Sequence, residues 1–445
     1  LGLIQTAEQK GKIQVKLTFM LYKKFLVIVF IACAQLGFAQ SENSSYFLDN
    51  TGIGLYLNPA NIQEAKISWT LPSLYYVHGN RGPGIYSILK TNVLNLKDLY
   101  GTLKKNNSFQ YGFQASLFGL SFNYDQFNFH IGQNLRSFTQ VDYNNSLFDI
   151  LINGNAQYIG ETVNVGPYAN LNFYNEFYAG FGVKLDNLNL GLRVKRLNGY
   201  ANAHTPSHKF SIYTDEEIYQ LKFNTEYRIH TNMYSDSLNF SNYTSQLFNN
   251  LTGNGGWAFD FGLKAKILDK FTISASLLDM GTIKWKNKPT KISTTGEYEF
   301  DGLDIAAILK DSLEFINLDS LGSIVNVEIT EESYRSGLPV QFYLGVKYEL
   351  TEQWEINGLF YNAYSTGQSH PSISVMGKYK PSEYFHTSFS YTWNPFAHVN
   401  IGWSAEAHLK FAHVYLAMDN IIDIFRPVGG NYFNVRTGIQ IDLVK

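Results

Sequence analysis

Apolar and polar residues alternate with a period of two along many segments of this chain. Phe259, Phe261 and Leu263, for example, alternate with Asp260 and Gly262. Successive side chains of a β-strand point to opposite faces, so each such segment has one apolar and one polar face. A strand that crosses a bilayer needs about 9–11 residues, whereas an ordinary strand has about 5–6. The alternating segments predict long strands with one face in an apolar medium.

The composition agrees with a membrane-spanning all-β protein. Charged residues make up 16% of the 445 residues and aromatic residues another 16%, against about 25% charged residues in typical globular proteins. A transmembrane β-barrel replaces charged surface with an apolar band and aromatic girdles. A large secreted β-sandwich or propeller is the alternative, but such folds have shorter strands and polar outer faces. The net charge of −2 gives no reason to expect a nucleic-acid partner.

We therefore predict a transmembrane antiparallel β-barrel of about fourteen strands, with sixteen as the alternative, because bacterial single-chain barrels have even strand counts. The predicted strands are 66–77, 110–124, 126–138, 168–185, 188–202, 216–229, 256–267, 270–280, 339–350, 353–364, 371–380, 384–393, 399–410 and 431–443. Further candidates are 207–213, 292–300 and 411–419. Short turns such as Asp125-Gln126 and Pro381-Ser382 are expected at one end, and long loops at the other.

The first forty residues have the pattern of a secretory signal. Met20 is followed by Lys23 and Lys24, by an apolar run over 25–38, and by a small residue at Ala39. This order of charge, apolar stretch and small-residue cleavage site predicts a signal peptide cut after Ala39. The apolar run is shorter than the about 20 residues that a spanning helix needs.

The single cysteine, Cys33, lies within this predicted signal. The mature chain is then expected to contain no cysteine and no disulfide. A lipoprotein signal is the alternative, because Phe30-Ile31-Ala32-Cys33 loosely resembles a lipidation box.

Two groups of short motifs carry a family resemblance. Leu57-Asn58-Pro59-Ala60 resembles the N-terminal hatch motif of the long-chain fatty-acid transporters of the outer membrane. Asp260-Phe261-Gly262, together with the segment from Asp279 to Trp285, resembles a Bacteroidota barrel family of unknown function, itself similar to those transporters and to barrel subunits of the type IX secretion system. The residues concerned are Asn58, Pro59, Ala60, Asp260, Gly262, Asp279, Gly281, Ile283 and Trp285.

This resemblance implies a barrel whose lumen is closed by an N-terminal plug. It runs from about residue 45 to the end of the chain, although the chain ends in Leu443-Val444-Lys445 and not in the aromatic residue common among such barrels. The expected organisation is an upstream or wrongly assigned start (1–19), a signal peptide (20–39), a plug or hatch (40–65) and an outer-membrane barrel (66–445).

Seven charged or titratable residues fall at polar positions of the predicted strands and are expected to face the lumen: Arg193, Lys195, Lys264, Lys347, Glu406, His408 and Arg436. We interpret them as a structural charge ladder, with the lining of a substrate path as the alternative. Four tryptophans near the ends of alternating segments are expected at the membrane interface, where amphipathic rings are favoured: Trp257, Trp285, Trp354 and Trp393.

No grouping of catalytic residues is recognisable. His204 and His208 are four apart, but a metal site needs further ligands. The glycine-rich stretch 253–256 lacks the strand–loop–helix context of a phosphate-binding loop. We expect no enzyme activity, no cofactor and no metal.

Two functions remain. The first is passive transport of hydrophobic or amphipathic small molecules through an outer-membrane barrel gated by the plug. The alternative is a non-enzymatic barrel that serves as a scaffold or accessory in protein secretion or surface assembly, because the loop stretches 230–255 and 286–338 are large. The expected partners are outer-membrane lipid and either a hydrophobic ligand or a secretion or surface protein.

Overall fold

The computed structural model describes residues 42–82, 100–233, 253–300, 326–365, 368–394, 400–425 and 432–444. The predicted signal peptide and part of the loop stretch 286–338 lie outside these residues. The strands are β1 Ile67–Thr70, β2 Ser73–Arg81, β3 Asn106–Tyr124, β4 Phe127–Asn144, β5 Thr162–Asn164, β6 Tyr168–Leu185, β7 Leu188–Thr214, β8 Leu221–Thr231, β9 Asn254–Leu268, β10 Phe271–Trp285, β11 Thr290–Phe300, β12 Glu328–Glu331, β13 Tyr334–Gly337, β14 Val340–Glu349, β15 Trp354–Ser365, β16 Gln368–Ser382, β17 Phe385–Trp393, β18 Asn400–His408, β19 Ala412–Met418 and β20 Tyr432–Val444. The helices are α1 Gly52–Leu57 and α2 Asn145–Asn153, with 3₁₀ turns at Asn43–Ser45, Ala156–Tyr158 and Ile422–Phe425.

Antiparallel pairing joins the strands into a closed barrel of 14 strands, which confirms the predicted fold and strand count. β1 and β2 together form the first barrel strand, interrupted at Leu71-Pro72, and both pair with β20 on one side and β3 on the other. A closed ring has no free edge, so every strand finds hydrogen-bond partners within the wall, as an apolar solvent requires.

One member of the ring differs from the prediction. β19, offered only as a further candidate, lies in the ring between β18 and β20. The predicted strand 216–229 instead becomes β8, outside the ring. The reason is that β7 has 27 residues: its first half pairs with β9, and its second half, 203–214, pairs with β8. β8, β11, β12 and residues 203–214 form what we call the outer sheet.

The two ends of the barrel differ. At one end the strands are joined by short turns, and Asp125, in the turn after β3, has a positive φ of 53°, which Asp tolerates in tight turns. We call this the short-turn end. The opposite, long-loop end carries the outer sheet and α2. The turn predicted at Pro381-Ser382 lies slightly later, at Glu383-Tyr384, because β16 continues through Ser382.

The outer face of the barrel is apolar and the inner face is largely polar. On β9, Phe259 and Phe261 are exposed while Asp260 is fully buried. Similar exposure extends around the ring, for example at Phe129, Ile131, Leu190, Leu192, Leu344, Val375, Phe389, Ile401 and Ile439. Apolar surface of this extent is rare on soluble monomers. Among the helices that the structure describes, none has the length and hydropathy to cross a membrane.

Candidate functional site in the barrel lumen

The stretch 42–65, which we call the inner segment, lies across the lumen. Near its start, Glu42 accepts hydrogen bonds from Arg436 at 2.6 and 2.8 Å, and Ser44 Oγ lies 3.2 Å from Ser390 Oγ. Further along, it contacts residues on β6, β7, β9, β14 and β16. Its partners therefore come from around the circumference of the barrel, and most of its residues are buried.

Asp49 anchors the middle of the inner segment. Its carboxylate lies 3.0 Å from Lys264 Nζ and also forms an ion pair with Lys347. Burial raises the pKa of Asp49, but the ammonium groups of Lys264, Lys347 and Lys378 outweigh that effect and hold this pKa well below its usual range. The carboxylate is thus ionised and bound to the wall at neutral pH.

Asn58 fixes the turn that follows α1. Its side-chain oxygen accepts a hydrogen bond from the Ala60 backbone N–H at 2.9 Å. Its side-chain NH₂ donates to the backbone carbonyls of Leu263 at 3.2 Å and Ala275 at 3.3 Å. Asn58 therefore shapes the turn and also binds it to β9 and β10.

Two glycines of the barrel wall leave room for this turn. A Cβ atom at Gly262 would lie 2.3 Å from Asn58 Oδ1, and one at Gly191 would lie 2.2 Å from the carbonyl carbon of Pro59. Only glycine permits such close backbone approach. The Asn-Pro-Ala motif and the glycine of the Asp-Phe-Gly motif, separated by about two hundred residues in sequence, are therefore in direct contact.

Beside α1 the lumen contains a buried charge cluster formed by three cations and three carboxylates: Arg136, Glu176, Arg193, Lys195, Asp260 and Asp279. Lys195 Nζ lies 2.9 Å from Asp260 and 2.6 Å from Asp279. Arg136 Nη1 lies 2.8 Å from the other oxygen of Asp279. The formal charges cancel, so the loss of any one member would leave an uncompensated buried charge, which costs about 3–5 kcal/mol.

Arg193 connects the charge cluster to the inner segment. Its guanidinium lies 3.0 Å from Asp260 and donates to the backbone carbonyls of Leu55 at 2.5 Å and Tyr56 at 2.8 Å. These carbonyls are in the last turn of α1, where a cation is favourable. The Tyr56 hydroxyl donates to Glu176 at 2.6 Å. The cluster and the helix thus stabilise each other.

A β-bulge in β10 positions Asp279. Leu278 and Asp279 together lie opposite Asp260 in the register, and Asp279 has a positive φ of 63°. The Asp279 N–H donates to Asp260 Oδ1 at 2.8 Å. A bulge inserts one extra residue and so reverses the facing of the residues that follow. Inward positions before it are even-numbered, whereas those after it are odd-numbered.

The same bulge explains why the interface prediction for Trp285 is wrong. Trp285 and Ile283 are both fully buried in the lumen, and the Trp285 indole donates to Ser336 Oγ at 2.8 Å. Gly281 lies in the same inward phase, against Trp257 and Ala258 of β9. The other three tryptophans are exposed on the outer face: Trp257, Trp354 and Trp393.

The other residues that the sequence predicts to face the lumen do lie on the inner face, and they contact partners outside the charge cluster. Lys264 and Lys347 bind Asp49, and Arg436 binds Glu42. Glu406 and His408 lie near the short-turn end, where Glu406 pairs with Lys378 at 2.5 Å. His204 and His208 do not form a metal pair: the His204 ring packs on His230, and His208 packs on Tyr168.

Sequence reasoning missed several members of the site. Arg136 and Glu176 lie within predicted strands, at positions in the polar phase, so the alternation could have identified them. Glu42, Asp49 and Tyr56 precede the first strand, where no period-two pattern indicates which side chains face the wall. Their partners could not be found without the fold.

One cavity in the part of the lumen that the structure describes is small. A cavity of about 60 Å³ lies between the inner segment and the long-loop end, lined by Tyr75, Arg136, Tyr174, Gln341 and Tyr361 among others. For comparison, an engineered cavity of about 150 Å³ admits benzene. A buried apolar cluster in the lumen shares Tyr174 with the lining of this cavity and includes Leu197, Ile283, Trp285, Tyr334 and Leu338. A second cluster contains Val165 together with Ile212 and Phe223 of the outer sheet.

Comparison with solved structures finds distant likenesses among barrel transporters and channels. A TodX monoaromatic hydrocarbon channel with the deltaS2S3 mutation has a TM-score of 0.46 at 10% identity, covering 88% of this chain and 94% of that chain. A FadL homologue from Pseudomonas aeruginosa has a TM-score of 0.42 at 12% identity, covering 92% and 97%. The toluene transporter TbuX from Ralstonia pickettii has a TM-score of 0.42 at 8% identity, covering 88% and 94%.

The sequence itself gives a family but no named relative. No curated protein matches it. The profile of a family of unknown function matches residues 59–419, a span that includes most of the barrel and both glycine-containing motifs. The chain belongs to the family of unknown function DUF5723.

Proposed function

We propose that this protein carries hydrophobic or amphipathic small molecules passively across the outer membrane of a Gram-negative bacterium, with the inner segment as its plug. The observation that carries the proposal is the inner segment itself: in a barrel with an apolar outer band, it lies across the lumen and contacts strands around the circumference. We infer that transport requires this segment to move.

The inner segment binds the wall through polar contacts and through apolar packing. Ion pairs and hydrogen bonds join it to the wall at Glu42, Asp49, Asn58 and the carbonyls that Arg193 contacts, and water can replace these contacts when the segment moves. Six of its side chains also pack in one buried hydrophobic cluster with side chains of the wall: Tyr46, Phe47, Leu48, Ile53, Tyr56 and Leu57. Movement of the segment therefore also has to expose or repack this apolar surface.

The apolar clusters provide a route to the plug. Val165, Ile212 and Phe223 lie beside the outer sheet, and Leu197 and Trp285 lie deeper in the lumen. Outer-membrane barrels have long extracellular loops and short periplasmic turns. On that basis a ligand is captured at the long-loop end, passes the cluster around Trp285 and leaves when the inner segment shifts.

Uptake into proteoliposomes tests this function. Purified protein is reconstituted, and entry of a fluorescent fatty-acid analogue is compared with entry into empty vesicles. A charged dye of similar size serves as the control for non-specific leakage. We expect selective uptake of the fatty-acid analogue. Equal uptake with and without protein would contradict the proposal.

A second candidate function, a scaffold for secretion or surface assembly, is supported by a different observation. The outer sheet extends beyond the barrel at the long-loop end and is built from β8, β11, β12 and the second half of β7. A sheet in that position suits contact with a secretion or surface protein. Recovery of one stoichiometric partner after mild detergent extraction, combined with no uptake of the fatty-acid analogue, would favour this scaffold function.

A further inference from the structure

Three side chains with metal-ligating atoms meet near the short-turn end of the lumen: His386 of β17, and Glu406 and His408 of β18. Their ligand atoms all lie within 4.8 Å of one another. His386 lies directly opposite Glu406 in the strand register, and the rings of His386 and His408 are 4.4 Å apart. The group comes from two adjacent strands of a rigid wall.

Two atoms of this group lack the partners that buried polar atoms usually have. Glu406 Oε2 and His408 Nε2 are buried, and neither forms a hydrogen bond with any residue that the structure describes. They lie 3.6 Å apart. Buried polar atoms are nearly always satisfied, so this pair calls for a third component between them.

The neighbouring hydrogen bonds are compatible with a metal ion at this place. His413 Nε2–H donates a hydrogen bond to Asp442 Oδ2 at 2.7 Å. His408 Nδ1 lies 2.6 Å from His413 Nδ1, and the tautomer in which His408 donates through Nδ1 leaves a lone pair on its Nε2, toward Glu406. In that tautomer two acceptors face each other, an arrangement that a bound cation satisfies.

The distances suit a small divalent metal. Ligand atoms bound to one tetrahedral Zn²⁺ at about 2.0–2.2 Å lie about 3.3–3.5 Å apart. The separation of 3.6 Å between Glu406 Oε2 and His408 Nε2 is close to this value, and the ligand atom of His386 lies within 4.8 Å of those of the other two residues. Two imidazoles and one carboxylate are a ligand set that Zn²⁺ accepts, with a fourth position left for water.

The surrounding groups complete the arrangement. A zinc-bound histidine commonly donates its second ring N–H to a further group, and His413 Nδ1, 2.6 Å from His408 Nδ1, is placed to accept such a hydrogen bond. Lys378 pairs with Oε1 of Glu406 at 2.5 Å and so leaves Oε2 for the ion. Its positive charge weakens cation binding, so the affinity depends mainly on the two imidazoles. The side chain of His408 is 13% exposed, which gives an ion a path from the short-turn end.

We propose that His386, Glu406 and His408 bind one divalent transition-metal ion of the zinc class at the short-turn mouth of the lumen. The sequence did not reveal this site, because its ligands come from two strands and are separated by twenty residues. The site is independent of whether the barrel transports small molecules.

Calorimetric titration of Zn²⁺ tests the proposal. The full-length mature barrel, purified without a polyhistidine tag and treated with chelator, is titrated in detergent. We expect one Zn²⁺ per chain, with affinity reduced more than tenfold in His386→Ala and in Glu406→Gln. His204→Ala is the matched control, since it removes a buried histidine that packs on another histidine away from this group. That variant should bind Zn²⁺ as the unmodified protein does.

The shift of the unheated band on a semi-denaturing gel shows that each variant is folded. If a variant fails to fold, X-ray absorption of the zinc-loaded unmodified protein decides the matter by detecting two imidazole ligands. Absence of stoichiometric Zn²⁺ binding would overturn the proposal and assign a second proton to His408 instead. Binding that both substitutions leave unchanged, or zinc with no imidazole ligand, would also overturn it.

Discussion

At the residue scale, the lumen is organised by close contact between glycines and the turn Asn58-Pro59-Ala60. The Cβ positions of Gly262 and Gly191 would overlap atoms of this turn. This contact explains two of the sequence motifs, Asn-Pro-Ala and Asp-Phe-Gly. Both position the inner segment against β7 and β9.

Gly262→Val should unseat the inner segment. Overpacking costs about 1–3 kcal/mol, and the cheapest relief here is movement of the turn away from the wall. We expect faster cleavage by chymotrypsin at Tyr46, Phe47 or Tyr56, measured by mass spectrometry of the folded barrel. Gly358→Ala is the control, because a Cβ at Gly358 would meet nothing within 4 Å. Unchanged cleavage of the Gly262 variant would show that the turn does not depend on this contact.

The ion pairs of Asp49 predict an acid-dependent opening. Lys264 and Lys347 lower the pKa of Asp49 below the ordinary value of 3.8. Because the pKa of Asp49 is lowered in the folded protein, its ion pairs contribute their full stabilisation above pH 3.8. This stabilisation is lost as the pH falls through the lower pKa that Asp49 has in the folded state. Fluorescent fatty-acid uptake should therefore rise only in that acidic range.

Asp49→Asn should show raised uptake already at neutral pH, with little further change on acidification. Asp269→Asn, in the exposed turn between β9 and β10, serves as the control and should keep the acid dependence. A neutral-pH rate for Asp49→Asn equal to that of the unmodified protein would contradict the role assigned to the ion pairs.

At the element scale, β10 shows what a sequence can and cannot predict. The alternation correctly indicates a strand here, because apolar and polar residues keep a period of two on each side of the bulge. The extra residue at Leu278-Asp279 reverses the phase, and nothing in the local sequence marks where that occurs. Trp285 was therefore placed on the wrong face, whereas the inward placement of Lys264, Lys347 and Arg436 on other strands agrees with the structure.

Trp285→Ala tests the inward assignment. Removing a fully buried tryptophan costs about 3–5 kcal/mol, since Trp285 fills the space beside Gly199 and stacks near Tyr334. Urea unfolding of the reconstituted barrel measures the change in the free energy of unfolding. Trp354→Ala on the outer face, where the side chain is 47% exposed, should cost clearly less. Equal losses would contradict the opposite placement of the two tryptophans.

At the scale of the whole molecule, the barrel was predictable and its interior was not. Strand number follows from periodicity and turn residues, which are local properties. The segment 216–229 was predicted as a strand of the ring, but β19 occupies that place instead. The reason is that β7 continues past the barrel, and its length depends on its pairing in the outer sheet. The charge cluster joins residues of five strands, so its existence depends on barrel closure. The polar phase of the strands points to most of its members as inward-facing, but not to their mutual contacts.

The proposed transport requires movement of the inner segment, and a reversible disulfide between this segment and the wall tests that requirement most directly. Ser44→Cys with Ser390→Cys places two thiols where the serine oxygens lie 3.2 Å apart, and the mature chain is expected to have no other cysteine. The control pair, Ser388→Cys with Ser404→Cys, joins two wall strands whose serine oxygens lie 2.6 Å apart. Fluorescent fatty-acid uptake into proteoliposomes is measured for both, oxidised and then reduced. We expect oxidation to stop uptake only in the Ser44–Ser390 variant, and reduction to restore it. Uptake that continues with this disulfide fully formed would contradict the gating role of the inner segment.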